Sequence, residues 1–264
     1  MVRPKRARKN LLDELSLDAP YVTETRRLLQ NLYRLQRSAP SEIRSYMVTS
    51  AGGGEGKSTI CSLMAILSAR IFHKRTLLID GDLHRPSAHA LVGVVRGPGL
   101  YEILRRGAAV AEVTRATSLP LLWVIPSGYP REEVGGAYSD EDFSRLLREV
   151  RSTYDVIFVD APPAVPALEP VLMGDHVDGI LIVAMAGRTP LAMVRRSVQV
   201  LEPLKKKIVG IILNNAVDGL PYAFNYRYYG FEPVRPTPIR RSPTSQRPEQ
   251  ANAPKRVSDN RGGT

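Results

Sequence analysis

The sequence predicts an α/β fold: a doubly wound, mostly parallel sheet flanked by helices on both faces. Three observations lead there. Short apolar runs alternate with helical patterns along the chain; a glycine-rich segment lies directly between the first apolar run and a long helical pattern; and two later runs end in aspartate. Strand–helix alternation of this kind demands right-handed crossovers. Ligands then bind outside the carboxyl ends of the strands.

The elements follow in chain order. An amphipathic helical segment, Tyr21–Arg37, precedes the first strand, Tyr46–Thr49. Further strands are expected at Thr76–Asp80, Leu121–Ile125, Val156–Asp160, Ile180–Met185 and Ile208–Leu213. Each is a nearly continuous apolar run, as expected when both faces of a sheet are covered. Helical patterns lie between them at Lys57–Ile71, Leu100–Arg106, Asp140–Ser152, Leu168–Gly174 and Pro190–Leu204.

Composition bounds the function classes. A hydrophobic share of 43% in 264 residues is enough for a packed core that needs no disulfide. The single cysteine, Cys61, excludes a disulfide framework and suits a reducing cytoplasm; it reads as a small buried apolar side chain. No run approaches the ~20 apolar residues of a membrane span, and the basic N-terminus leads into no apolar signal segment. A soluble cytoplasmic protein is expected. Residues 1–10 hold five basic and no acidic side chains, and residues 232–264 hold seven basic against three acidic. The ends therefore carry nine of the eleven net positive charges; such tails suit anionic lipid, nucleic acid or acidic protein, or plain solvated termini, and no nucleic-acid partner is expected. The organisation expected is a basic tail (1–20), a nucleotide-binding domain (21–217), a tyrosine-rich segment (218–231) and a Pro-rich basic tail (232–264) that reads as disordered.

The strongest motif is Ser50-Ala-Gly-Gly-Gly-Glu-Gly-Lys-Ser-Thr59, a variant phosphate-binding loop with Ala51 where the strict pattern has Gly. Small residues let backbone N–H groups curl around phosphate oxygens, and the following helix adds its positive dipole end. Gly52, Gly53, Gly54, Glu55, Gly56, Lys57, Ser58 and Thr59 form the candidate nucleotide site, for ATP. Lys57 is the point charge for the β- and γ-phosphates, and the Ser58 hydroxyl is placed to ligate Mg²⁺. In Leu77-Leu-Ile-Asp80-Gly-Asp82 two carboxylates sit two residues apart at a strand end, a costly pair unless a cation neutralises it. Asp160 closes Tyr154-Asp-Val-Ile-Phe-Val-Asp160, the Walker B form, and is the expected Mg²⁺ partner.

With GEGKST, LLIDGDLHRP, YDVIFVDAPP, DGILIVAMAGRTP and VGIILNN in that order, the sequence resembles the bacterial tyrosine kinases of capsule and exopolysaccharide synthesis, the stand-alone cytoplasmic P-loop type. The similarity runs from about Tyr21 to Tyr229, some four-fifths of the chain. It implies ATP and Mg²⁺ as cofactors, Lys57, Asp80 and Asp82 as catalytic residues, Ser58, Asp82 and Asp160 as metal ligands, and Asn214 against adenine. It also implies a membrane chain-length-determinant protein as activator, with attachment to the inner face of the plasma membrane through that partner. His84 stands where the family has Arg, and Gln30 replaces the last Arg of the helix pattern Glu24-x-x-Arg27-x-x-Arg that builds the family's homo-oligomer.

Tyr222, Tyr226, Tyr228 and Tyr229 fall within eight residues. By themselves they also suit an amphipathic strand; beside the kinase pattern they are the expected autophosphorylation sites. The alternative function is a non-kinase regulatory ATPase related to partitioning and septum-site ATPases. Gly52, where those ATPases carry a lysine, favours the kinase.

Overall fold

The computed structural model describes residues 10–38, 44–130 and 140–216, and the first element in it is a short helix, α1 (Leu11–Glu14). The Asn10 side chain caps it by accepting the Leu12 N–H at 2.8 Å. α1 lies in the stretch read above as a basic tail, and Leu11, Leu12 and Leu15 pack against the core. The elements that follow are α2 (Pro20–Ser38), β1 (Ser45–Ser50), α3 (Lys57–Phe72), β2 (Thr76–Asp80), α4 (Ala88–Leu91), α5 (Leu100–Arg106) and α6 (Val110–Val113). Then come β3 (Arg115–Ala116), β4 (Leu122–Ile125), α7 (Asp140–Arg151), β5 (Val156–Asp160), α8 (Glu169–Gly174), β6 (Gly179–Met185), α9 (Leu191–Val200), a 3-10 segment (Glu202–Lys207) and β7 (Ile208–Asn214).

The strands form one sheet in the order β3-β4-β2-β5-β1-β6-β7. Every pairing is parallel except β3 with β4. The chain passes from β1 to β2 on one side and from β5 to β6 on the other, so β1 and β5 flank the crevice where a doubly wound sheet binds ligands.

The pleat divides the apolar runs between two cores. Met47, Ile79, Ile157, Val159, Ile180 and Ile182 face one side, with Phe143, Leu146 and Leu147 of α7. Tyr46, Val48, Leu78, Phe158, Leu181 and Val183 face the other, against Val22, Leu29 and Leu32 of α2 and most of α3. Helices cover both faces, which is why the strands read as unbroken apolar runs.

Several details depart from the sequence reading, among them the four-residue helices α1, α4 and α6, too short to show a helical period. The short antiparallel β3 was not foreseen, because two residues carry no periodicity. The strand before α7, β4, starts at Leu122 rather than Leu121, which adopts a left-handed φ of 66°. The helix expected over Pro190–Leu204 stops at Val200 and gives way to the 3-10 segment. Pro203 lacks the N–H an α-helix needs and its ring clashes with the preceding turn.

Candidate active site

Parallel register brings three strand ends together. Val48 of β1 and Asp80 of β2 both pair with Asp160 of β5, so the loop after β1 and two strand-terminal aspartates share one edge. Gly81 then donates its N–H to the Asp160 carbonyl at 2.8 Å. A Cβ at Gly81 would stand 2.9 Å from that oxygen, which is why glycine separates Asp80 from Asp82.

The phosphate-binding loop is held by its own side chains and by the strands beyond β5. Glu55, buried at 6% exposure, accepts the Gly52 N–H at 3.0 Å and the Thr189 hydroxyl at 2.7 Å. Asn214, the last residue of β7, donates to the Glu55 carbonyl at 3.0 Å, and Arg188 donates to the Gly54 carbonyl at 3.2 Å. Gly56 has φ 91° and opens α3; a Cβ there would lie 2.2 Å from the Asn214 side-chain nitrogen. The loop and the β6–α9 turn are thus one stitched unit.

Lys57 lies at the centre of the charge cluster. Its Nζ donates to Asp82 Oδ2 at 2.7 Å and to Ser58 Oγ at 3.2 Å, and stands 3.8 Å from Asp160 Oδ1. Burial disfavours its charge, but Asp160 and then Asp82 outweigh this and raise its pKa above the usual lysine value. Asp160 is fully buried. Burial, with Asp80 and Asp82 nearby, pushes its carboxyl up to about 7, against the opposing pull of Lys57 and Ser58. Asp82 also accepts the Arg85 N–H at 2.9 Å.

Among the described residues, Asp80 Oδ1 and both Asp160 oxygens accept no hydrogen bond of ordinary geometry. Buried acceptors without donors are costly, and a cation or its water would satisfy them. No group of three or more His, Cys, Asp or Glu side chains forms a metal cage among these residues. Mg²⁺ keeps several waters and is bound through one or two carboxylates plus phosphate oxygens. Ser58, Asp82 and Asp160 fit such a site.

The structure therefore brings Lys57, Ser58, Asp80, Asp82 and Asp160 together and sets Gly52, Glu55, Gly56 and Asn214 beside them. Gly53, Gly54 and Thr59 are exposed. Tyr222, Tyr226, Tyr228 and Tyr229 lie outside the described residues. Sequence reading missed His89, whose ring Nδ1 is 2.5 Å from Asp80 Oδ2, and the clamp formed by Arg188 and Thr189. Nothing in their spacing announces them, because each reaches the site only through a turn of the chain. His84 meets Glu169, with Nε2 2.8 Å from Oε1, so the histidine found in place of arginine has a carboxylate partner.

Comparison with known proteins places this geometry among relatives. A family described as ParA, NUBPL iron-transfer P-loop NTPase, matches residues 43–222. The tyrosine-protein kinase YwqD of Bacillus subtilis (strain 168) is 28% identical over 229 residues, covering 84% of this chain and 95% of that protein. The succinoglycan biosynthesis transport protein ExoP of Rhizobium meliloti (strain 1021) is 32% identical over 182 residues, 68% of this chain but only 23% of its own length. The kinase domain of the Escherichia coli tyrosine kinase ETK superposes with a TM-score of 0.70 at 25% identity, covering 81% of this chain and 86% of that one.

Proposed function

The chain belongs to the ParA family of P-loop NTPases, and we propose that within it the protein is an ATP- and Mg²⁺-dependent protein-tyrosine autokinase that regulates exopolysaccharide or capsule chain length and export. The observation that carries this reading is the Lys57–Asp82–Asp160 cluster with Asp80 beside it, at the ends of three adjacent strands. Its likeness to YwqD along nearly the whole of that kinase supports it. The iron-transfer part of the family's description finds little chemistry here, since iron–sulfur clusters are held by several cysteine thiolates and this sequence has one cysteine, which is buried.

In the proposed reaction a tyrosine hydroxyl oxygen bonds to the γ-phosphorus of ATP while the bond from that phosphorus to ADP breaks. The hydroxyl proton passes to a carboxylate. Asp80 Oδ1, buried and unpartnered among the described residues, is the acceptor for it. Lys57 turns from Asp82 toward the β- and γ-phosphates, exchanging one anionic partner for another. Gly52–Thr59 backbone N–H groups hold the phosphates, and Asn214 faces the base. Ser58, Asp82 and Asp160 would hold Mg²⁺, which when bound would supply charge neutralisation for the loose transition state.

Tyr222, Tyr226, Tyr228 and Tyr229 are the proposed acceptors. A membrane chain-length-determinant protein is the proposed activator, bringing the chain to the inner membrane face. The naming of ExoP as a polysaccharide transport protein supports that partner class. Among the described residues no helix is long and apolar enough to cross a membrane. Arg27 pairs with Glu24 within α2 at 2.7 Å, and Gln30 follows one turn on without the guanidinium needed for a bidentate carboxylate pair.

Incubation of purified protein with ATP and Mg²⁺, with and without the cytoplasmic segment of such a partner, tests the reading. Phosphotyrosine mapped to residues 222–229 and absent from Lys57→Met is the expected result. ATP hydrolysis without phosphotyrosine in either condition would instead establish the regulatory ATPase that the ParA-family match also supports.

A further inference from the structure

We propose that His89 is a positioning residue for phosphoryl transfer, holding the Asp80 carboxylate so that one oxygen stays free for the acceptor's proton. This rests on the phosphoryl-transfer reading of the site. Asp80 ends β2 and is fully buried. Its Oδ2 receives two donors from one residue, the His89 backbone N–H at 3.2 Å and the ring Nδ1–H at 2.5 Å. Because the same oxygen already accepts the backbone N–H, the ring Nδ1 is assigned as the donor of this pair. Oδ1 is left without a partner among the described residues.

The arrangement solves a competition problem. Three buried carboxylates, Asp80, Asp82 and Asp160, lie near one lysine. The terminal torsion of aspartate is a broad rotor, and an Asp80 free to turn would contend with Asp82 for Lys57. His89 gives Asp80 its own donors, so that Lys57 remains with Asp82 at 2.7 Å and Asp160 at 3.8 Å. His89 is itself held. It sits in α4, whose Ala88 and following Val92 are buried in the core beneath α3, and its side chain is 9% exposed.

Replacing His89 by Asn, Gln and Ala tests this. Asn presents an amide N–H where Nδ1–H stands, whereas Gln presents one a carbon further out. Phosphate transfer to tyrosine and to water, nucleotide affinity and melting temperature are measured for each. The Ala and Gln variants are expected to lose about 10²-fold in kcat, the scale of a misplaced reacting group, with KM nearly unchanged. Asn is expected to recover most of the rate. In the free wild-type protein, ¹⁵N-histidine NMR should show one strongly deshielded ring N–H that disappears in Asp80→Asn. If Ala fails to fold, Gln, which fills more of the same volume, supplies the comparison.

An Asn variant as slow as Ala, a full rate in Gln, or no deshielded proton in wild type would overturn the proposal while leaving the kinase reading standing. Wild type that hydrolyses ATP without making phosphotyrosine sinks the kinase reading alone, because the variants are then compared on hydrolysis. Wild type that turns over ATP by neither route, activator present, overturns both.

Discussion

Asp80 and Asp160 are register partners at the ends of β2 and β5, so two buried carboxylates share one wall and Lys57 stands between that wall and Asp82. Like charges so close repel, and Lys57 offsets part of that repulsion. In the free protein the lysine proposed to bind phosphate therefore also has a structural task, holding buried carboxylates that outnumber it.

Lys57→Met should consequently abolish nucleotide turnover and also destabilise the free protein by about 3 kcal/mol, the scale of breaking a buried ion pair from one side. Adding Asp160→Asn removes one of the stranded charges and should restore much of that stability, though none of the activity. Urea unfolding at neutral pH measures both. A Lys57→Met chain as stable as wild type would show that the carboxylates do not depend on the lysine.

Gly56→Ala should weaken nucleotide binding. The new methyl meets the Asn214 side chain at 2.2 Å and sits on a backbone with φ 91°, a strain of about 1–3 kcal/mol. Adding Asn214→Ala removes the clash but not the backbone strain, so stability should recover only in part. Complete recovery in the double variant would assign the whole cost to the side-chain contact.

Away from the nucleotide, Asp178 ties the start of β1 to β6. It accepts the Arg44 and Ser45 N–H groups at 2.9 and 2.8 Å, the Ser45 hydroxyl at 2.7 Å and Arg151 at 2.7 Å. Burial opposes its charge, but the Arg151 and Ser45 hydrogen bonds win and hold its carboxyl below the ordinary aspartate value. A depressed folded-state pKa means the unfolded chain binds the proton more readily. Its stabilisation is present above the ordinary aspartate range and fades as pH falls through and below it. Asp178→Asn should cost about 2 kcal/mol at neutral pH, and the gap from wild type should close in strong acid. A gap independent of pH would exclude the charge as its source.

Cys61 should resist thiol reagents in the native protein and react at once after unfolding. It is fully buried one turn into α3, and burial first, then Asp160, pushes its thiol well above the usual value, so little thiolate forms. Rapid labelling of the native protein would mean that α3 opens at its first turn.

Most of the sheet was legible in the chain because apolar runs of the right length, each followed by a helical period, leave few alternatives. The loop was legible because a glycine-rich segment ending in Gly56-Lys57-Ser58 has a narrow use between a strand and a helix. What escaped reading was every contact made by return of the chain: His89 onto Asp80, Thr189 onto Glu55, Glu169 onto His84. The β3 pairing and the early end of α9 escaped for local reasons, two residues of strand and one proline.

The sequence by itself determined the doubly wound class, the phosphate loop and the identity of the acidic residues at strand ends, because these follow from periodicity and residue chemistry within short windows. Only the tertiary structure decided the charge pairing: which carboxylate Lys57 engages, which oxygens stay unpaired, and which histidine holds Asp80. Hydrogen bonds and ion pairs depend on distances of a few tenths of an ångström between residues far apart in the chain, and no local pattern encodes those distances.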